Sequence, residues 1–118
     1  MRYPIWAVDF DGCIHDSQCW PIIGEPIPKA KELMIRHKSR GGHIIINSCR
    51  TGVHEEEAKK WLIAHFIPFD AINKNLDFQI AKYGCDCRKI CADLYIDDKN
   101  PGGANWELVE QIAFDEQQ

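Results

Sequence analysis

Short apolar runs alternate with helix-like segments along the whole chain. The runs cover residues 5–8, 43–47, 69–72 and 93–96. Runs of this length are typical of strands that are buried on both faces of a parallel sheet. Because strands and helices alternate, the pattern predicts an α/β fold, with a mainly parallel sheet flanked by helices in a three-layer, Rossmann-like arrangement and with right-handed crossovers.

The segments between the runs carry helix start and stop signals. Helices are predicted from Pro28 to the Gly41-Gly42 pair, and over residues 53–65, 76–83 and 105–114. Proline is favourable in a first helical turn, and glycine is favourable just after a helix end. Residues 12–26 contain two glycines and two prolines, which predict turns or a short flap. The sequence has no linker or internal repeat, so residues 1–118 are predicted to form a single domain.

Composition limits the classes of function. The chain has 118 residues, 45% of them hydrophobic, and a formal net charge of −4. This acidic balance argues against broad nucleic-acid binding, which needs a basic surface. The apolar runs are far too short to span a bilayer, and residues 1–4 lead straight into a strand without the apolar segment of a signal peptide. We therefore expect a cytoplasmic protein without a membrane partner.

Six cysteines, at positions 13, 19, 49, 85, 87 and 91, raise the question of disulfides or zinc. The spacing Cys85-x-Cys87-x₃-Cys91 differs from that of the usual zinc pairs, and no second pair completes four ligands. A chain long enough for a core and without a signal peptide does not need disulfides. We expect mostly reduced thiols, some of them packed in the core.

Polar side chains follow three of the predicted strands. Asp9 and Asp11 follow the first strand, Ser48 the second, and Asp97 and Asp98 the last. In an open parallel sheet, ligands bind just beyond the carboxyl ends of the strands, so these residues are expected to meet. Two carboxylates about 4 Å apart repel by roughly 4 kcal/mol at an effective dielectric near 20, and Mg²⁺ offsets such repulsion. The alternative is that these aspartates are turn and cap residues, which is less plausible when both pairs end buried strands.

Two residues are candidates for binding a phosphate group. Ser48 precedes a predicted helix N-terminus, where free N–H groups favour an anion, although a capping role is the alternative. Lys89 stands eight residues before the last acidic pair and is a candidate for stabilising a transferring phosphoryl group. Lys74, Lys82 and Lys99 rival it on position alone.

Together these residues resemble the four motifs of the haloacid dehalogenase (HAD) superfamily of phosphohydrolases. Residues 9–13, with the sequence DFDGC, resemble the first motif, D-x-D-G-[TVC]. Ser48, Lys89 and the Asp97-Asp98 pair resemble the second, third and fourth motifs, in the family's order and over nearly the whole chain. The wider strings around Ser48 and Asp97 resemble a small capless subgroup, some members of which are linked to capsule biosynthesis.

The resemblance implies a Mg²⁺-dependent phosphohydrolase and a role for each residue. Asp9 would be the nucleophile that forms an aspartyl-phosphate, and Asp11 the general acid/base. Mg²⁺ would be held by Asp9, the backbone carbonyl of Asp11, and Asp97, with Asp98 orienting these ligands. The residues that match the second and third motifs would bind the phosphoryl oxygens.

The spacing leaves no room for the cap domain that many members of this family carry. About 15 residues separate Asp11 from the helix at Pro28, and predicted elements fill the segment between the second and third motifs. An open site suits a bulky phosphorylated substrate, or a lid from a second copy of the chain in a homo-oligomer, and small phosphorylated sugars under the flap are a further option. Arg50 and Asn75 are candidate substrate contacts, although a surface ion pair is an equal alternative for Arg50.

Two other functions stay open. A response-regulator receiver domain, a phospho-acceptor signalling module, also combines acidic residues, Mg²⁺, a Ser or Thr and a lysine. In a receiver domain a middle strand ends in the acceptor aspartate, whereas here it ends in Ser48, and Lys89 precedes the second acidic pair. The second alternative is an inactive HAD-like scaffold. Asp11 argues against it, because a scaffold needs no general acid.

Overall fold

Four strands alternate with four helices in the computed structural model, which describes residues 1–87 and 89–114. In chain order the elements are β1 (Ile5–Val8), α1 (Pro28–Ser39), β2 (His43–Ile46), α2 (Gly52–Ala64), β3 (Ala71–Ile72), α3 (Asp77–Tyr83), β4 (Leu94–Ile96) and α4 (Trp106–Phe114). The order of elements agrees with the sequence prediction. Within the described residues, no helix has the length and apolar character that crossing a bilayer requires.

Strand β3 is the element that differs most from its prediction, because it begins at Ala71 and not at residue 69. The side chain of Asp70 explains the difference. Its Oδ2 accepts the backbone N–H of Ile44 at 2.7 Å, so a carboxylate replaces the backbone carbonyl of a strand partner. Its Oδ1 accepts a hydrogen bond from Lys38 Nζ at 2.7 Å, which ties the segment to α1.

The sheet is parallel throughout, with the strand order β3-β2-β1-β4. Strand β1 is flanked by β2 and β4, and Val8 lies opposite both Ile46 and Ile96. The residues that follow these strands therefore meet at one edge, where Asn47 N donates to the Val8 carbonyl at 2.9 Å. This register brings together the chain segments that carry the predicted site.

Alternate residues of the strands face two separate apolar clusters. The larger cluster contains Trp6 and Val8 of β1 together with side chains of α1, α2 and α4. The smaller cluster contains Ala7 and Ile45, with Leu76 and Ile90 from the segments around α3 and before β4. Because both faces of the sheet are covered, the predicted α/β class with a three-layer arrangement is confirmed.

Candidate active site

Three carboxylates meet at the carboxyl ends of β1 and β4. Asp9 follows β1, and Asp97 and Asp98 follow β4. Each offers one oxygen, and these oxygens all lie within 4.8 Å of one another. The two strands are neighbours, and Asp9 N donates to the Ile96 carbonyl at 2.8 Å, which holds the strand ends side by side. We call these three residues the acidic cluster.

The protonation of Asp9 reflects this crowding. The pKa of Asp9 is raised from 3.8 to about 7, by burial most of all, then by a hydrogen bond with Asp98 and by the charges of Asp97 and Asp98. A hydrogen bond from the backbone of Phe10 acts in the opposite direction. Like-charged neighbours keep a carboxyl protonated unless a cation compensates them. The oxygen donors and their charge therefore fit a hard divalent cation such as Mg²⁺.

Asp97 and Asp98 differ in their other contacts. Asp97 Oδ1 accepts the backbone N–H of Lys99 at 2.9 Å, which holds the turn after β4. Asp98 Oδ2 lies 4.0 Å from Lys99 Nζ, and it would lie 3.2 Å from a Cβ atom added at Gly12. The resemblance to HAD proteins implied only an orienting role for Asp98, whereas its carboxylate is itself one of the three in the acidic cluster.

The Asp11 carboxylate is occupied by two other side chains. Arg50 donates to it twice, from Nε to Oδ2 at 2.9 Å and from Nη2 to Oδ1 at 2.7 Å, and His15 Nε2 lies 2.9 Å from Oδ1. Burial raises the pKa of Asp11, but the hydrogen bonds from Arg50 and His15 and the charge of the Arg50 guanidinium outweigh it and lower the pKa. Asp11 is therefore held as a carboxylate beside Asp9, whose own carboxyl retains a proton more strongly.

The hydrogen bonds of His15 define its tautomer. The ring is fully buried, and its Nδ1 lies 3.2 Å from both the Ser17 and the Gly24 backbone nitrogen atoms, which can only donate. Nδ1 is therefore the acceptor, and the ring proton sits on Nε2, where it is donated to Asp11. Through this one ring, the flap of residues 12–26 is connected to Asp11.

Arg50 is fully buried, so the surface alternative for this residue is wrong. Besides Asp11, its Nη2 donates to the Pro21 carbonyl at 3.0 Å. Its guanidinium carbon lies 5.2 Å from the ring centroid of Phe10 and 4.6 Å from that of Trp20. Its Nη1 has no hydrogen-bond partner in the part of the chain that the structure describes. The side chain thus joins the loop after β2 to Asp11 and to the flap.

Ser48 lies at the end of β2 and is oriented by Asn73. Ser48 N donates to Asn73 Oδ1 at 2.7 Å, and Ser48 Oγ accepts the backbone N–H of Arg50 at 3.0 Å. Asn73 Nδ2 donates to the Arg50 carbonyl and to Glu55 Oε1, each at 2.9 Å. Sequence reasoning missed Asn73. The sequence feature that could have identified it is an asparagine directly after a short strand. Asparagine tolerates the left-handed backbone conformation that Asn73 adopts here, with φ of 56°.

Lys89 lies in the loop between α3 and β4, where its side chain extends over Tyr95. Its Nζ is 5.7 Å from the ring centroid of Tyr95. No ion pair between Lys89 and the three aspartates occurs among the described residues. The Tyr95 hydroxyl donates a hydrogen bond to the Ile90 carbonyl, so this aromatic side chain is itself anchored to the loop.

Asn75 holds that loop and does not line the site. The residue is buried, and its Nδ2 donates to Asp86 Oδ1 at 3.0 Å, to the Cys87 carbonyl at 3.2 Å and to the Lys89 carbonyl at 3.4 Å. Its Oδ1 accepts the N–H of Cys91 at 2.8 Å. The amide of Asn75 is thus fully engaged in hydrogen bonds within the protein.

A shallow depression of about 100 Å³ opens beside the acidic cluster. Its lining residues are Asp11, Gly12, Ser17, Gln18, Trp20 and Asp98. Three larger depressions, of about 210, 220 and 310 Å³, lie beside β4 and α4, next to the amino-terminal end of β2 and next to that of β1, respectively. None of them contains a residue of the acidic cluster. The smaller depression is the one that combines a cavity with the clustered carboxylates.

The fold and site define an α/β protein with an acidic centre at the carboxyl ends of parallel strands. Comparison with solved structures finds a conserved protein coded by a locus of Bacteroides thetaiotaomicron, which is 36% identical to this chain. The match covers 97% of this chain and 91% of that protein, with a TM-score of 0.79. The chain therefore belongs to the same family as this protein. Comparisons with protein-family models and with curated proteins give no match.

Proposed function

We propose that the protein is a Mg²⁺-dependent phosphohydrolase of the HAD type that cleaves a phosphomonoester. The observation that carries the proposal is the acidic cluster, in which oxygens of Asp9, Asp97 and Asp98 lie within 4.8 Å of one another, with Asp11 two residues beyond Asp9. Three carboxylates at this separation repel strongly without a cation. A metal-dependent phosphoryl transfer needs carboxylates that bind the cation and a further carboxyl group nearby for proton transfer, and the acidic cluster and Asp11 provide these groups.

The acidic cluster would hold Mg²⁺. When bound, the cation would neutralise the carboxylates and would help to position the phosphorus atom of the substrate for attack by Asp9. The raised pKa of Asp9, about 7 without a cation, supports this assignment, because a nucleophile must be ionised and a nearby positive charge would lower that pKa again. Asp97 and Asp98 lie close enough to serve as ligands alongside Asp9, and the Asp11 backbone carbonyl remains a candidate ligand.

Asp9 would attack the phosphorus atom of the substrate. The new bond joins an Asp9 oxygen to phosphorus, the bond from phosphorus to the leaving oxygen breaks, and Asp11 supplies a proton to that oxygen. In the second step Asp11 takes a proton from water, the water oxygen attacks phosphorus, and phosphate leaves the regenerated Asp9. The contacts with Arg50 and His15 suit Asp11 as a base. Its role as an acid requires that it turns from these donors to the substrate and takes up a proton from solvent before the first step.

Ser48 and Lys89 are the proposed phosphate-binding residues. The Ser48 hydroxyl accepts a hydrogen bond from Arg50 N, and its own hydrogen stays available for a phosphoryl oxygen. Lys89 extends over Tyr95, so its ammonium group would have to change rotamer to reach a bound phosphate. Between the end of β1 and the start of α1 the chain forms only the flap, so a substrate would enter an open site.

The test is hydrolysis of an activated aryl phosphate by the wild type, Asp9→Asn and Asp11→Asn, each with Mg²⁺ and with a chelator. We expect turnover by the wild type with Mg²⁺, loss with the chelator, and a decrease of about 10³-fold or more in Asp9→Asn. Asp77→Asn, an exposed aspartate at the start of α3, is the matched control and should retain activity.

The outcomes separate the alternatives. Full activity in Asp9→Asn, or activity that is indifferent to the chelator, would contradict the mechanism. One stable phosphorylation per chain without turnover would identify a phospho-acceptor signalling module. Metal binding without phosphorylation or turnover would identify a scaffold.

A further inference from the structure

Trp20 has an exposed indole that is nevertheless held in place. Its side chain is among the exposed large apolar groups, at 57% exposure, although the guanidinium carbon of the buried Arg50 lies 4.6 Å from its ring centroid. The ring of His54 lies 5.2 Å away, tilted by 57°. A cation packed on one face of an aromatic ring orders that ring. The indole is therefore a rigid apolar surface that remains open to solvent.

The position of Trp20 connects this surface to the proposed chemistry. Trp20 lines the same depression as Asp11 and Asp98. In the proposed reaction Asp9 binds the phosphoryl group and Asp11 protonates the leaving oxygen, so the leaving group must extend toward the Asp11 side of the site. The exposed indole lies on that side. Ile22 and Val53, which are 64% and 69% exposed, stand on the same two segments as Trp20 and His54.

The charges around the depression select among leaving groups. Two of its lining residues, Asp11 and Asp98, are acidic, and the guanidinium of Arg50 is already paired with Asp11. Lys99 approaches Asp98, but its side chain is 88% exposed and so is a weak counter-charge. A second anionic group on the substrate would therefore be repelled. Ser17 and Gln18, which also line the depression, offer polar atoms to an uncharged polar group.

We propose that Trp20 forms a leaving-group subsite, and that the substrate is a phosphomonoester whose leaving group packs the face of an uncharged ring against the indole. The ring is either a sugar or an aromatic group, since both offer a face that stacks on an aromatic side chain. This inference rests on the proposed hydrolysis of a phosphomonoester. It adds that a substrate with a ring is preferred to a ring-free substrate of equal charge.

The experiment compares two pairs of esters: phenyl phosphate with ethyl phosphate, and glucose 6-phosphate with glycerol 3-phosphate. For each pair the quantity measured is the ratio of kcat/KM for the ring ester to that for the ring-free ester. We expect Trp20→Ala to lower the ratio about tenfold in at least one pair, and Trp20→Phe to lower it less, because stacking on one ring has about that strength. The pair with the larger loss identifies the ring as sugar or aromatic. Phe66→Ala is the control, since Phe66 is 80% exposed and lies just beyond α2, whose length of about 20 Å separates it from His54.

Binding keeps the inference testable even if the proposed hydrolysis fails. Phenylphosphonate and ethylphosphonate, which have no ester bond to break, are titrated calorimetrically into the wild type and Trp20→Ala in the presence of Mg²⁺. A selective weakening of phenylphosphonate binding in Trp20→Ala, of about tenfold, supports an aromatic-ring subsite. Ratios and affinities that are the same in the wild type and Trp20→Ala, for both ester pairs and for the phosphonates, would overturn the inference. Absence of turnover for every ester would contradict only the proposed function.

Discussion

Arg50 binds the carboxylate of Asp11 through two parallel hydrogen bonds, of 2.9 Å from Nε and 2.7 Å from Nη2. The planar guanidinium matches the two carboxylate oxygens, which gives the contact both strength and a defined geometry. One residue follows β1 and the other follows β2, so the pair joins two loops at the same edge of the sheet. It also places a fixed carboxylate next to the acidic cluster.

Replacement of Arg50 tests this connection. We expect Arg50→Met to lower the free energy of unfolding by about 2 kcal/mol, because Asp11 and the Pro21 carbonyl lose their donor. The loss stays below that of a fully buried pair, since the Asp11 side chain is 32% exposed and can be hydrated. Urea denaturation measures it. Arg50→Lys keeps the charge but not the two parallel bonds, so its free energy of unfolding should lie between those of the wild type and Arg50→Met. Arg36→Met, at a side chain that is 44% exposed, should cost less than about 1 kcal/mol. Equal losses in Arg50→Met and Arg36→Met would refute the role of the pair.

The raised pKa of Asp9 predicts a pH dependence of stability. Between about pH 4 and pH 7 the folded protein retains a proton on Asp9 that the unfolded chain releases, so this group makes the metal-free protein less stable as the pH rises. Asp9→Asn removes this effect, and the stability of the variant relative to the wild type should increase between pH 5 and pH 8. Thermal unfolding in the presence of a chelator measures the difference. A difference that does not change with pH would contradict the prediction. Mg²⁺ should stabilise the wild type more at pH 8 than at pH 5.

Gly12 and Gly84 form a matched pair for testing the acidic cluster. Both have positive φ, of 75° and 76°, so alanine at either position should cost about 1 kcal/mol of stability through backbone strain. A Cβ atom at Gly12 would lie 3.2 Å from Asp98 Oδ2, whereas at Gly84 it would meet nothing within 4 Å. We therefore expect only Gly12→Ala to weaken Mg²⁺ binding, by about three- to tenfold, in a calorimetric titration. Equal weakening by both variants would show that the contact with Asp98 is not the cause.

Asn75 should behave as a structural residue. Asn75→Ala leaves a backbone N–H and several carbonyl or carboxylate oxygens of residues 86–91 without their partner, so we expect a loss of about 3 kcal/mol in the free energy of unfolding. Limited proteolysis should also become faster between Cys85 and Cys91. Asn100→Ala, which removes one exposed hydrogen bond, is the control and should cost about 1 kcal/mol or less. A higher KM with unchanged stability in Asn75→Ala would instead support the substrate contact that the sequence suggested.

Much of the architecture was predictable because it depends on local patterns. The alternation of apolar runs and helical periodicity identified the eight elements that the described residues form, and Pro28 marked the start of α1. Strand β3 was predicted too long, since the contact of Asp70 with Ile44 N joins residues 26 positions apart and leaves no local signal. The spacing of Asp9, Ser48 and Asp97 after their strands likewise placed them at one edge, because parallel strands end on the same side.

The partners of the site residues were not predictable in the same way. Asp11 follows Asp9 in a recognisable motif, but its contact with Arg50 spans 39 positions and depends on the register of β1 against β2. His15 gave no pattern in the sequence, although its ring supplies another hydrogen bond to Asp11. The amide of Asn75 binds backbone groups up to 16 positions away, and backbone groups carry no side-chain signature.

The sequence by itself determined the α/β class, the parallel sheet and the strand ends that carry Asp9, Asp11, Ser48, Asp97 and Asp98. These follow from periodicity and chain direction, which are local properties. Only the tertiary structure decided that Asp98 joins Asp9 and Asp97, that Asp11 is paired with a buried Arg50, and that Lys89 extends over Tyr95. These outcomes depend on side-chain rotamers and on charges brought together from distant positions, and neither is encoded in the spacing of residues along the chain.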